Sequence, residues 1–196
     1  AHSNSVLGLV EPLVGLIPAG GGCKEMLARY LGDIPAGTDY DPNPFIQQAF
    51  KNIAMAQVST SCEEARKMGY LRPTDRITMD IDALLRDAKN LALGLASSGY
   101  TPPRKRRFKL SGADGRAAIE LFLLTLHQGG HATAHDIVVG KEIANIMTGG
   151  NRPAGSWVTE EDILDLEREG FLRLLGTEAT QARITHMLQT NKPLRN

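Results

Sequence analysis

A chain of 196 residues is long enough for one substantial core or two small ones. Lys plus Arg and Asp plus Glu each number 22, a formal net charge of zero, so no overall field draws the chain to nucleic acid or to an anionic membrane. Two cysteines are too few for a disulfide framework and suit a reducing compartment, the cytoplasm; no apolar run approaches the roughly 20 residues that span a bilayer.

The first informative segment is Gly8 to Leu27, GLVEPLVGLIPAGGGCKEML. Glu11 stands among Leu9, Val10, Leu13 and Val14, and a carboxylate held among aliphatics loses solvation, which favours proton transfer. Gly20, Gly21 and Gly22 open backbone angles closed to other residues and let a ligand approach the main chain. Residues 23–31 read as a helix whose free N–H groups point back at that loop. Two readings stay open on the residues alone. One is an acid or base beside a backbone-lined anion or water site; the other is a strand-end carboxylate next to a tight turn. The glycines lack the GxGxxG spacing of a dinucleotide loop.

Residues 45–57 place Phe45, Ala49, Ile53 and Ala56 on one helical stripe. Val58–Thr60 and Ile77–Met79 read as short strands. Between them Ser61 and Glu64 form a capping-box pattern for a helix that Gly69 ends. Asp80 or Asp82 opens a long helix carrying Leu84, Leu85, Ala88, Leu91, Ala92 and Leu95 up to Gly99. TPPRKRRFKLSGADG breaks the pattern and sets a boundary. Helices follow over residues 117–126, after Thr133 with Asp136 in a capping box, after Thr159, and after Thr177.

His127, His131 and His135 share the i, i+4, i+8 spacing of metal ligands, but Gly129 and Gly130 interrupt the helix, so no metal site is expected. Arg104, Lys105, Arg106 and Arg107 read either as a solvated linker or as a contact for phosphate groups. Glu160, Glu161, Asp162, Asp165 and Glu167 form an acidic cluster read as helix capping, and Trp157 as a hydrophobic staple.

VEPLVGLIPAGGGCKEM resembles the second active-site segment of the crotonase, or enoyl-CoA hydratase, family, whose pattern runs roughly P-E-x-x-L-G-x-x-P-G-x-G-G-T. AFKNIAMAQVSTSCEEARKMGYL is similar to the family's helix, short strand and second helix ending in A-x-x-x-G-L. TQARITHMLQTNKPLRN, with DLEREGFLRLL before it, resembles the tail of bacterial fusion proteins in which a 3-hydroxyacyl-CoA dehydrogenase precedes an enoyl-CoA hydratase-like domain. The resemblance implies a mainly α fold with a few short strands: the second half of a crotonase-like α/β fold over residues 1–100, a linker over 101–111 and a helical region over 112–196.

It also implies part of a fatty-acid β-oxidation enzyme. Glu11 is then one of two carboxylates that hydrate trans-2-enoyl-CoA, and the backbone of Ala19, Gly20, Gly21 and Gly22 faces water or substrate. Arg104 to Arg107 face the phosphates of coenzyme A. NAD belongs only to an upstream dehydrogenase domain, and the partners are an acyl-CoA substrate, the rest of the fusion chain and a second copy. Alanine replaces the family's glycine at Ala19, and cysteine its threonine at Cys23. The family's first glutamate and oxyanion donors precede this segment, so the chain is expected to be a fragment without hydratase activity of its own. The competing expectation is a non-catalytic docking and oligomerisation module.

Overall fold

The computed structural model describes residues 1–32, 34–35 and 37–196. A 3-10 turn, Glu11–Val14, carries Pro12 at its second position and closes where the Gly15 N–H donates to the Pro12 carbonyl at 3.0 Å. Helix α1, Gly22–Leu31, starts from Gly21, whose φ of 93° favours glycine. Helices α2, Asn43–Ala54, and α3, Cys62–Lys67, follow. A second 3-10 turn, Ile81–Ala83, is capped by the Asp80 carboxylate accepting from the Asp82 N–H at 3.0 Å, and leads into α4, Leu84–Ser97. Strand β1, Arg107–Lys109, precedes α5, Gly112–Gln128, and α6, Ala134–Met147. Strand β2, Trp157–Thr159, runs into α7, Glu160–Leu175, and α8, Glu178–Thr190, completes the order.

The helix starts follow the local side chains. Thr133 with Asp136, and Thr159 with Asp162, make full capping boxes at α6 and α7. At α3 the Ser61 hydroxyl accepts from the Glu64 N–H at 3.2 Å. The Glu64 carboxylate reaches past Ser61 and accepts from the N–H and hydroxyl of Thr60, each at 2.6 Å.

One hydrophobic core joins both ends of the chain. Helix α1 packs on α2, α6 and α7; α6 also packs on α2 and α5. Leu27, Phe50 and Ile53 share a buried cluster with Ile143, Ile146, Met147 and Ile163. Residues 101–106, inside the expected linker, carry no regular structure, and the helices on either side of them meet in that cluster.

The expected half of a crotonase-like α/β fold is not what the structure shows. Among the described residues the two strands are three residues long and pair only with each other, Arg107 to Thr159, Phe108 to Val158 and Lys109 to Trp157. β1 lies inside the expected linker and β2 beyond it. Val58 and Thr78, from segments expected as strands, form only isolated bridges, to Gly8 and His2. Helices carry the core instead, because apolar residues recur three and four apart rather than alternating. On α2 the buried stripe is Ile46, Ala49, Phe50 and Ile53, offset from the expected one; Phe45 instead meets Tyr40 edge-on. Trp157 is 56% exposed on β2; the staple positions around Thr159 are held by the buried Val158 and Ile163. The stripe on α4 has no partner among the described residues, for that helix buries none of its side chains. No helix is long and apolar enough to cross a membrane among the described residues.

Candidate functional site

The glycine loop and Glu11 come together around Cys23. The Cys23 thiol is fully buried at the start of α1, and burial pushes it well above its ordinary value, with the carboxylates of Glu167 and Glu11 raising it further. Glu11 sits in the 3-10 turn, half-buried; its Oε2 is enclosed and has no hydrogen-bond partner among the described protein atoms. No arginine or lysine pairs with it among the described residues.

The loop's donors, however, are largely spent inside the protein. The Gly21 and Lys24 N–H groups each donate to the Glu167 carboxylate at 2.8 Å. The Ala19 N–H donates to the Ile17 carbonyl at 2.8 Å and the Gly22 N–H to the Pro18 carbonyl at 3.0 Å. The anion position at the start of α1 is therefore filled by a side chain 146 residues away. Glu167 is fully buried on α7. Burial raises its carboxyl above the usual range, and the two N–H bonds and Lys24 only partly offset this. The sequence places Glu167 in an acidic cluster that reads as helix capping. The missed signal is its register: it lies on the buried face of α7 with Ile163, Gly170 and Leu174.

Helix α8 fixes the turn that carries Glu11. The Thr180 hydroxyl donates to the Gly15 carbonyl at 2.8 Å and meets His135 Nε2 at 2.8 Å. A Cβ at Gly15, where φ is 78°, would stand 2.8 Å from the Thr180 hydroxyl, so this close approach requires glycine. Arg183 is 2% exposed and uses its whole fork. It pairs with Asp136 at 2.8 Å and donates to the Pro12 carbonyl, the Thr133 hydroxyl, and the side-chain and backbone oxygens of Asn196. Burial and the Arg183 charge hold His135 below its ordinary value, and Asp136 opposes them. His127 Nδ1 meets the Ala132 carbonyl at 2.9 Å, so His127 and His135 serve different local contacts.

A second site is basic. A pocket of about 590 Å³ opens between α1, α3 and the chain before β1. Arg29, Arg66, Lys67, Arg72 and Arg106 line it, and no carboxylate does among the described residues. Some of this charge is engaged: Arg66 pairs with Glu63 at 2.9 Å, and Arg72 reaches Glu25 at 3.5 Å. Arg29 donates to the Tyr70 carbonyl at 2.5 Å. Yet Nε of Arg29 and Nε of Arg66 are both enclosed and lack partners among the described protein atoms. An enclosed charged donor without an acceptor costs about 1–3 kcal/mol, so this pocket favours an oxygen-rich anion. Of the run expected to meet phosphate, Arg106 lines this pocket. Arg104 is exposed, Lys105 pairs with Glu161, and Arg107 opens β1 beside a neighbouring groove. Sequence reading found only Arg106 of the five cations, because the other four are scattered over residues 29–72 and no local spacing links them.

No family model matches the chain. Over all 196 residues it is 44% identical to a protein of Bacillus subtilis (strain 168) named "Probable 3-hydroxyacyl-CoA dehydrogenase", and it spans 24% of that relative's length. The chain is thus similar to one part of a longer protein bearing a dehydrogenase name. That name overturns the expected hydration of trans-2-enoyl-CoA: it points to dehydrogenation, and no hydratase or crotonase match accompanies it.

Proposed function

We propose that this chain is a helical part of a 3-hydroxyacyl-CoA dehydrogenase-type protein, in which its basic pocket holds the phosphate-bearing end of the acyl-CoA substrate. The observation that carries this reading is the pocket itself: five cations, no lining carboxylate among the described residues, and two enclosed guanidinium nitrogens without acceptors. Phosphate and diphosphate oxygens are the partners that a guanidinium fork matches best. The relative's name supplies a substrate that carries such groups.

In this reading Lys67 supplies a point charge and Arg106 a guanidinium fork, while Arg29 and Arg66 are held in place by backbone carbonyls. Binding here orients a long substrate by its distant end, and the energy is the same in ground and transition state. The oxidation of a 3-hydroxyacyl group passes a hydride to NAD. The residues of this chain do not fit a dinucleotide: no strand leads into the glycine loop, and Glu167 fills the start of α1. No step through NAD is therefore assigned to these residues.

The test is steady-state kinetics of the intact polypeptide that carries this chain. Lys67→Ala with Arg106→Ala removes two charges without touching the core. KM for a 3-hydroxyacyl-CoA is expected to rise about tenfold, with kcat little changed, as loss of uniform binding requires. An unchanged KM contradicts the proposal.

A further inference from the structure

Where α2, α5 and the chain after α8 meet lies a cavity of about 310 Å³. Its walls are apolar: Phe50, Phe122, Leu123, Leu126 and Leu194 all line it. That volume is at the lower end of ordinary ligand sites, which pair an apolar body with a few placed polar groups. Here the polar groups stand together as Arg183, Asp136, Arg195 and His131.

Asp136 is one carboxylate facing two guanidinium groups, Arg183 at 2.8 Å and Arg195 at 3.6 Å. Arg183 is buried and fully engaged by Asp136, Pro12, Thr133 and Asn196. Burial works against the Asp136 charge, but the Thr133 N–H and Arg183 prevail and hold its carboxyl below the usual range. Arg183 is the closer partner of Asp136, and Arg195 is its longer, more exposed one. Arg195 donates from Nη2 to the His131 carbonyl at 3.0 Å; Nε and Nη1 have no partner among the described residues. Its side chain is 66% exposed, at the mouth of the cavity.

An apolar cavity with a partly engaged, exposed guanidinium at its rim fits an amphiphile with a single negative head. We infer that this cavity binds a medium-chain carboxylate, with the hydrocarbon chain between Phe50, Phe122 and Leu126 and the carboxylate on Arg195. The Arg195 charge selects against a neutral or cationic amphiphile of the same length. Pro12 and Leu13 also line the cavity, so an occupant touches the 3-10 turn that carries Glu11. The site is separate from the basic pocket, shares no residue with it and does not rest on the proposed substrate.

Calorimetric titration of the intact polypeptide with hexanoate, octanoate and decanoate reads the inference directly. Affinity is expected to rise roughly fourfold for each added methylene until the cavity is full. Decanol and decylamine are expected to bind at least about tenfold more weakly than decanoate, the size of a hydrogen bond to a charged group. Arg195→Ala should remove the preference for decanoate over decanol while retaining the dependence on chain length. Met55→Glu, at the half-exposed rim, should weaken decanoate and strengthen decylamine. Absence of saturable decanoate binding overturns the inference. So does equal binding of decanol and decanoate, or a decanoate affinity indifferent to Arg195. A cavity filled instead by a second copy of the chain would appear as a concentration-dependent mass that decanoate leaves unchanged, and would also overturn it.

Discussion

Replacing Glu167 tests what holds the glycine loop in place. In the folded protein its carboxylate accepts the Gly21 and Lys24 N–H groups at 2.8 Å each, and the residue is fully buried. Glu167→Ala leaves both donors without an acceptor. An orphaned buried donor costs about 1–3 kcal/mol, so the pair predicts a loss of about 2–6 kcal/mol, a large share of the typical 5–15 kcal/mol of a folded domain. Glu167→Gln keeps one carbonyl oxygen and turns an amide N–H toward the other donor, so about half that loss is expected. Urea unfolding with an unchanged slope and a lower midpoint is the readout.

The pH dependence adds an independent check. Burial raises the Glu167 carboxyl above its ordinary 4.5, so the folded state holds the proton more tightly than the unfolded chain. The stability this adds is full below pH 4.5 and is lost as pH rises through the raised folded value. The stability of the native protein relative to Glu167→Gln should therefore fall across that interval. An alanine variant within about 1 kcal/mol of the native protein refutes the claim that Glu167 holds the loop; no change of the native-to-Gln difference with pH refutes the raised carboxyl.

Two further substitutions separate necessary from incidental features. Gly21→Ala meets a φ of 93° and is expected to cost about 1–2 kcal/mol, while Gly20→Ala, which finds open space, should be nearly neutral; thermal melts compare them. Arg183→Lys keeps the charge but abandons most of a buried fork that ties α8 to Pro12, Thr133, Asp136 and Asn196. A loss of about 3 kcal/mol or more is expected in denaturant unfolding, and a loss below 1 kcal/mol would show the network to be dispensable.

Much of the local structure was legible in the chain because its causes are local. Thr133 with Asp136 and Thr159 with Asp162 announce helix starts by residues three apart, and the structure forms both boxes. At Ser61 only half of the expected box forms: its hydroxyl accepts the Glu64 N–H, but the Glu64 carboxylate binds Thr60. Long-range pairing was not legible. Nothing near Glu167 signals that its partners are Gly21 and Lys24, and nothing near Arg183 signals Pro12. A glycine triplet before a helix reads as an open anion site until the distant carboxylate that fills it is known. The motif resemblance drew an α/β fold from the first 100 residues, whereas the apolar spacing on α1 and α2 packs them onto α6 and α7 as helices on helices. The apolar stripe on α4 was read correctly as a stripe, but periodicity does not say what a face packs against, and that helix stays exposed.

The account depends most on phosphate recognition by Arg29, Arg66, Lys67, Arg72 and Arg106. Calorimetric titration of the intact polypeptide with coenzyme A and with pantetheine, which lacks the phosphates, at low and high salt tests it most directly. The account predicts that coenzyme A binds at least about tenfold more tightly at low salt and that the difference shrinks as salt screens the charges. Equal affinity for the two compounds, or a coenzyme A affinity indifferent to salt, would contradict it.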